Sequence, residues 1–307
     1  MSRKNAACDF RRLDWYDGRN PPGGSGMATY RIYQYTSIGR PLDPAYPTNK
    51  AVLLLMPLAA VLGAVVGWQR GGDLLQILQQ ALVFALILFA AWALARELDP
   101  DDNPVAFISL ACAMLAALMV STPGVLIVFV TLGLVRIVNR STGLTARRTD
   151  SIILMVLSIA VIYWTESPLF GLVAALAFFL DGSLKDPLRQ QWIYGFVCLG
   201  GTIVYMVDHD ITPGHLSAPD SLFEWLAVLF LLIFALDTAL MRTVRSKGDV
   251  GGRTLDVNRV RGGMAVGLCA ALQGVYMPAN VAVIVAVIAG ICIGMAFRKG
   301  FRAPAAS

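Results

Sequence analysis

An all-α polytopic membrane protein, a bundle of about ten transmembrane helices with both termini cytoplasmic, follows from three features of these 307 residues. The chain is 57% hydrophobic and only 15% charged, against about 45–50% and about 25% in ordinary soluble domains. Its apolar excess must therefore face something other than water. That excess is gathered into long runs, which makes the counterpart a lipid bilayer. Finally, the basic residues fall almost entirely on one side of any map that makes those runs membrane crossings. Disordered, collagen-like and disulfide-stapled chains are excluded by the same composition.

The runs occupy 50–69, 74–95, 104–120, 123–138, 150–164, 167–181, 191–207, 221–241, 262–276 and 278–297. Backbone polar groups cannot be left unpaired in hydrocarbon, and runs of this length without alternation are helices rather than barrel strands. Several are shorter than the roughly 20 residues a perpendicular helix needs. They are nevertheless separate crossings. As one helix, 150–181 would part Arg147-Arg148 from Lys185, whereas a turn at Thr165-Glu166-Ser167-Pro168 keeps the two clusters together. The same argument divides 262–297 at Val275-Tyr276-Met277-Pro278. Ser121-Thr122-Pro123-Gly124 divides 104–138, because Pro-Gly is a strong turn signal. With ten crossings, 24 of the 25 Lys and Arg share the side of both termini, and Arg70 alone lies opposite. Basic bias of this size makes that side the cytoplasm of a plasma or inner membrane. The aromatic residues agree: Trp68, Tyr163, Trp164, Tyr205, Trp225 and Tyr276 fall at outer ends, and Trp92, Trp192 and Tyr194 at inner ones, as interfacial belts require.

Three regions result: a polar N-terminal tail at 1–49, a transmembrane helical domain at 50–297 and a short basic tail at 298–307. Residues 1–26 hold no apolar stretch of the kind a signal peptide needs. The Gly-Gly pair before Met27 resembles a translated purine-rich ribosome-binding sequence, so the natural chain is expected to begin at Met27. The formal charge of +5 reports topology and gives no support for a nucleic-acid partner. The cysteines Cys8, Cys112, Cys198, Cys269 and Cys292 stand far apart without metal or redox spacing.

The polar groups with chemical potential lie mostly in the cytoplasmic loops. Arg96-Glu97-Leu98-Asp99-Pro100-Asp101-Asp102-Asn103-Pro104 brings four carboxylates together, and Asp186 stands in the loop after span six. Hard cations prefer oxygen ligands, so Glu97, Asp99, Asp101, Asp102 and Asp186 are candidate Mg²⁺ ligands that could bridge a diphosphate. Asp-Pro pairs at Asp43, Asp99 and Asp186 also fit a plainer role as N-cap and N1 residues of the next helix. Acidic loops after spans two and six are similar in position to the two Asp-rich motifs of the UbiA-type membrane prenyltransferases. The second would be Asp181-Gly182-Ser183-Leu184-Lys185-Asp186, while Glu97 to Asn103 departs from that family's NDxxDxxxD pattern. The resemblance covers those two loops and implies Mg-dependent transfer onto a lipid-linked phosphate at the cytoplasmic face.

The 242–261 loop carries Arg242, Arg245, Lys247, Arg253, Arg259 and Arg261 with Gly248, Gly251 and Gly252 between them. Such cations suit anionic lipid head groups or a phosphorylated substrate, although no Gly-Lys-Ser/Thr is present. The 136–150 loop is basic in the same way. Asp237, in the last turns of span eight, is the most informative single residue, because ionisable groups inside membranes have a partner or a task. Arg242 is expected to snorkel toward it, and Asp181 lies at comparable depth in span six. A proton or cation site at Asp237 and Asp181, or an interfacial ion pair, are the two readings. Asp208-His209-Asp210 and His215 gather both histidines in one outer loop, with turn and cap residues around them.

Three functions fit. A permease or flippase-like carrier of a small or lipid-like molecule suits ten helices divisible into two five-helix halves, as in many secondary transporters. Its mid-membrane polar candidates are Gln79, Gln80, Thr131 and Thr202. The Mg-dependent transferase uses the acidic loops. A non-catalytic subunit would dock a membrane-protein partner through 27–49, where Tyr30-Arg31-Ile32-Tyr33-Gln34-Tyr35 is rich in tyrosine. No cofactor signature is present, and Mg²⁺ enters only with the transferase.

Overall fold

A computed structural model of the chain describes residues 32–120, 124–210, 221–250, 252–273 and 278–301. The 1–26 tail, the turns at 121–123 and 275–277, His215 and the end of the basic tail lie outside the described residues. Ten α-helices are present among those described, with one isolated β-bridge between Lys247 and Thr254 as the sole strand-like pairing. They are α1 (Pro47–Gln69), α2 (Leu74–Leu98), α3 (Asn103–Met119), α4 (Val125–Asn139), α5 (Arg148–Trp164), α6 (Leu169–Ser183), α7 (Gln191–Asp208), α8 (Leu222–Leu240), α9 (Val257–Leu272) and α10 (Pro278–Phe301). Each apolar run thus corresponds to one helix. By length and composition α1, α2 and α8 can cross a membrane, while α3, α4, α6 and the 282–297 part of α10 are apolar but shorter.

Local chemistry explains several boundaries. Asp73 opens α2 with a capping box, its carboxylate accepting from the Gln76 N–H while the Gln76 side chain accepts from the Asp73 N–H. Ser221 caps α8 through the Glu224 N–H, and Asp256 caps α9 through the N–H groups of Asn258 and Arg259. The Asp-Pro pairs do not serve as the expected N-caps. Helix α1 starts after Tyr46, α3 after Asp102 and α7 after Gln190. Asp43 instead closes a turn by accepting from the Ala45 N–H at 2.9 Å, and Asp186 sits at φ 55°, left-handed and so outside the helical run that follows.

Helix α4 lies at the centre, packed against α2, α5, α6, α9 and α10. Around it Phe84, Leu94, Ile127, Leu134, Phe170, Phe178 and Met264 are fully buried. Helices α1 and α8 are peripheral, α1 against α2 and α8 against α9 and α10. Alternate helices run up and down. Arg96, at the end of α2, donates to Asn49 at the start of α1, and Arg148, opening α5, donates to Gln190 just before α7. Arg261, early in α9, donates to the Thr238 carbonyl near the end of α8. At the opposite end Arg70 reaches the carbonyls of Leu118 and Val120, closing α1 against α3. Helices α3 and α10 run antiparallel, because Gly290 faces Ser109 while Gly294 faces Val105. The bundle therefore has one polar end, holding the loops after α2, α4, α6 and α8, the segment before α1 and the close of α10.

Candidate functional site

Two buried ion clusters are built at the polar end from helix termini. In the first, Glu97 in the last turn of α2 is 1% exposed. It accepts from Arg136 of α4 at 2.9 Å and pairs with Arg40 at 3.4 Å. Arg40 binds Asp249 of the α8–α9 loop at 2.6 Å, and the Tyr33 hydroxyl donates to the same carboxylate. Burial acts to lower the Arg40 guanidinium, but Glu97 and Asp249 outweigh it and hold it above its ordinary value. Burial, then the negative Asp249, pushes the Tyr33 phenol up.

In the second cluster Asp181 of α6, fully buried, lies 2.8 Å from both Arg140 and Arg259. Gln191 of α7 donates to the other Asp181 oxygen at 3.0 Å and to Ser151 at 2.9 Å. Arg259 also donates to the carbonyls of Val138 and Lys185. Desolvation of two like charges is offset here by one carboxylate, by the Val138 carbonyl at the C-terminal end of α4, where a helix favours cations, and by the Lys185 carbonyl just past α6. Arg140 reaches this place because it ends α4 in the left-handed conformation.

Further carboxylates fasten loops. Asp150 accepts from the Ser37 N–H and hydroxyl, each at 2.6 Å. Asp101 accepts from the backbone N–H groups of Arg245 and Ser246 and from the Ser246 hydroxyl. Partial burial raises the Asp101 carboxyl, yet these donors win and hold it below the usual carboxylate range. Because the folded pKa is depressed, this contact stabilises above the unfolded value of about 3.9 and is lost as pH falls through the folded one.

The acidic loops do not converge. Glu97 and Asp181 are each committed to their own pair of arginines, Asp101 to backbone donors, and Asp186 is exposed. Among the described residues no three His, Cys, Asp or Glu side chains gather where a metal could be held. Asp99 is buried beside Glu97 in sequence, and Asp102 stands at the N-cap of α3. Of the basic residues expected to hold phosphate, Arg259 is buried on Asp181, and Arg245, Lys247 and Arg253 remain exposed. The partners Arg136, Arg140, Gln191 and Asp249 were not visible as such in the sequence. The available signal was an acid in the final turn of α2 and of α6, facing a basic turn in α4.

The 27–49 segment is described from residue 32. Its 32–46 part is folded onto the chain's own loops: Thr142 donates to the Ser37 carbonyl at 2.6 Å, Arg136 to Ile38 and Arg147 to Tyr33. Arg40→Ala is expected to loosen this clasp, exposing 32–46 to limited proteolysis while the helices stay protected. Equal cleavage of the variant and the parent would refute the role given to Arg40.

Asp237 occupies a different setting. It borders a groove of about 650 Å³ between α8 and α10, lined with Phe230, Leu236, Leu240, Cys292 and Phe297. Leu236, Leu240 and Phe297 are more than half exposed, so the groove opens on the side of the bundle. No ion pair within 4 Å joins Arg242 to Asp237, contrary to expectation. Asp237 closes the last turn of α8 with its carbonyl, and Arg242 lies beyond the Met241 C-cap, exposed, where the chain has already left the helix. A smaller groove of about 280 Å³ lies between the opposite halves of α6 and α9, beside Leu172, Cys269 and Gln273. Gln79, Gln80, Thr131 and Thr202 line neither groove. His209 stacks on Tyr205 with centroids 4.1 Å apart, and its Nδ1 lies 3.0 Å from the Tyr205 carbonyl one turn earlier.

Searches against protein-family models, curated proteins and solved structures gave no match to this chain.

Proposed function

We propose that all ten helices cross the membrane with the polar end in the cytoplasm, and that the protein is a carrier of a lipid-like molecule that enters sideways from the bilayer. The observation that carries this reading is the position of the two grooves. Each opens on an apolar outer face of the bundle, and they lie in opposite halves of its thickness. Hydrocarbon-facing openings suit an apolar or amphipathic cargo, whereas an ion-coupled pump needs a polar path near mid-depth. Supporting the crossing are the exposed Leu54, Leu58, Val61, Leu229, Leu232 and Leu236 of α1 and α8, a surface that water would not tolerate at this density. Glycine-mediated helix contacts, as at Gly63 against the Gln80 carbonyl, are the packing that bilayers favour. The short helices then require a locally thinned bilayer or shelter within the bundle.

Two measurements test the reading. A reporter active only outside the cytoplasm is expected to stay silent when fused after Gly143 and to be active after Asp208. Purified protein in vesicles is expected to speed equilibration of a fluorescent lipid analogue between leaflets relative to protein-free vesicles. Activity after Gly143 would overturn the orientation, and an unchanged equilibration rate would overturn the carrier.

A further inference from the structure

The carrier reading leaves the cargo's chemistry open, and the α8–α10 groove narrows it. Resting on that reading, we propose that this groove binds a cationic amphiphile, a protonated amine on one apolar body, with the ammonium on Asp237 and the apolar body running from there toward mid-membrane.

Three features carry the assignment. First, Asp237 is the sole ionisable side chain apart from the Cys292 thiol among those lining the groove, whose surface is otherwise aliphatic and aromatic. Partly buried there, its carboxylate makes no ion pair and no hydrogen bond among the described residues. A negative charge set in apolar walls favours a cation that brings apolar surface of its own. Second, the acid stands at the end of the groove that such a ligand requires. Helices α8 and α10 both run toward the polar end, and the Cys292 thiol donates to the Phe230 carbonyl at 3.4 Å, joining the two helices at the groove's deeper limit. Asp237 follows Phe230 by seven residues, which places it about 10 Å nearer the polar end at the α-helical rise. A ligand with its cation on Asp237 thus has Ile233, Phe230 and Cys292 along its apolar body and keeps its charge toward the cytoplasmic head groups. Third, Leu236, Leu240 and Phe297 are more than half exposed. The groove is therefore open to the leaflet in which an amphiphile is already dissolved.

Other occupants fit this chemistry less well. A divalent metal ion takes about six or more oxygen ligands, and the groove supplies one carboxylate. An anionic amphiphile would meet like charge in a medium of low dielectric constant. A protonated amine offers N–H donors to the carboxylate oxygens, and such charge-assisted hydrogen bonds are about twice as strong as neutral ones.

The test is retention of three probes that share a decyl chain, decylamine, decanol and decyl sulfate, by the full chain in phosphatidylcholine nanodiscs. Uptake by empty nanodiscs is subtracted for each probe. The wild type is expected to retain decylamine about tenfold over decanol, the scale of one hydrogen bond between charged groups, and decyl sulfate no better than decanol. Asp237→Asn should abolish the preference for the amine, and Asp237→Glu should keep it. Ile233→Trp, at a lining position that is 42% exposed, fills the groove and should lower retention of amine and alcohol alike. Because the wild-type preference needs no variant, misfolding of any substituted protein leaves the test intact. Equal retention of decylamine and decanol by the wild type overturns the assignment, and so does stronger retention of decyl sulfate. An undiminished preference in a folded Asp237→Asn, or unchanged retention in a folded Ile233→Trp, overturns it as well. Faster lipid equilibration between leaflets without amine preference sinks this assignment alone. Amine preference without any acceleration of equilibration sinks the carrier alone.

Discussion

Asp181→Ala is expected to lower the unfolding free energy by about 3–5 kcal/mol, enough to collapse the yield of folded protein, the range seen when one partner of a buried ion pair is removed. Arg140 and Arg259 both lie 2.8 Å from the same Asp181 oxygen, with side chains only 9% and 5% exposed. Without the carboxylate two guanidinium groups face each other across a dry space. Neither can shed its charge, since arginine stays protonated in proteins. Gln191 also loses one of its two acceptors, keeping Ser151. The mechanism makes a second claim that separates charge from shape. Replacing the triad together, as Asp181→Leu with Arg140→Met and Arg259→Met, should recover much of the loss, because apolar side chains of similar volume often substitute for a buried ion cluster. Unfolding in detergent, followed by tryptophan fluorescence, reads both. An Asp181→Ala protein within about 1 kcal/mol of the parent, well under the cost of stranding a buried charge, would show that water reaches the cluster.

That cluster also marks the limit of what the residues reveal before folding. The apolar runs located every helix, since a stretch that must be shielded from water or embedded in lipid is visible in composition alone. Their ends were set too short at the polar side: α2 runs on to Leu98, α6 to Ser183, and α9 begins at Val257 instead of 262. The extra turns of α2 and α9 contain Glu97 and Arg259, and Asp181 is the last residue of its run; such residues lower the hydropathy of a window while sitting deep in the bundle. Whether an acid at such an end is a free ligand or half of an ion pair depends on what the fold brings from 41 and 78 residues away. No spacing rule encodes that distance. Glu97 and Asp181, candidate metal ligands when read along the chain, each face a pair of arginines in the fold. Asp237 is an ionisable residue at an apolar helix end, and its expected link to Arg242 assumed that the helix continues. The break after Leu240 decides otherwise.

Gly290→Ala should destabilise by about 1–3 kcal/mol, the usual scale of overpacking, and Gly290→Val by more, although the change adds only a methyl or an isopropyl group. A Cβ at Gly290 would lie 2.3 Å from the Ser109 Cα and 2.7 Å from its backbone nitrogen. Those atoms belong to the α3 main chain and cannot rotate away, so the helices must separate along their whole contact, including Gly294 against Val105 one turn later. In a bilayer the loss is felt in full. Lipid tails are as apolar as the side chains they meet, so association of helices rests on close van der Waals contact instead of on release of water. Gly200 in α7 supplies the contrast, because a Cβ there meets nothing within 4 Å. Gly200→Ala should be neutral or stabilising by up to about 1 kcal/mol, through the backbone entropy that alanine removes from the unfolded chain. The pair isolates the contact from the general preference of helices for alanine. Equal stability of the two variants, measured by the same detergent unfolding, would mean that α3 and α10 are farther apart than this packing requires, and that the bundle is held at that seam by something other than proximity.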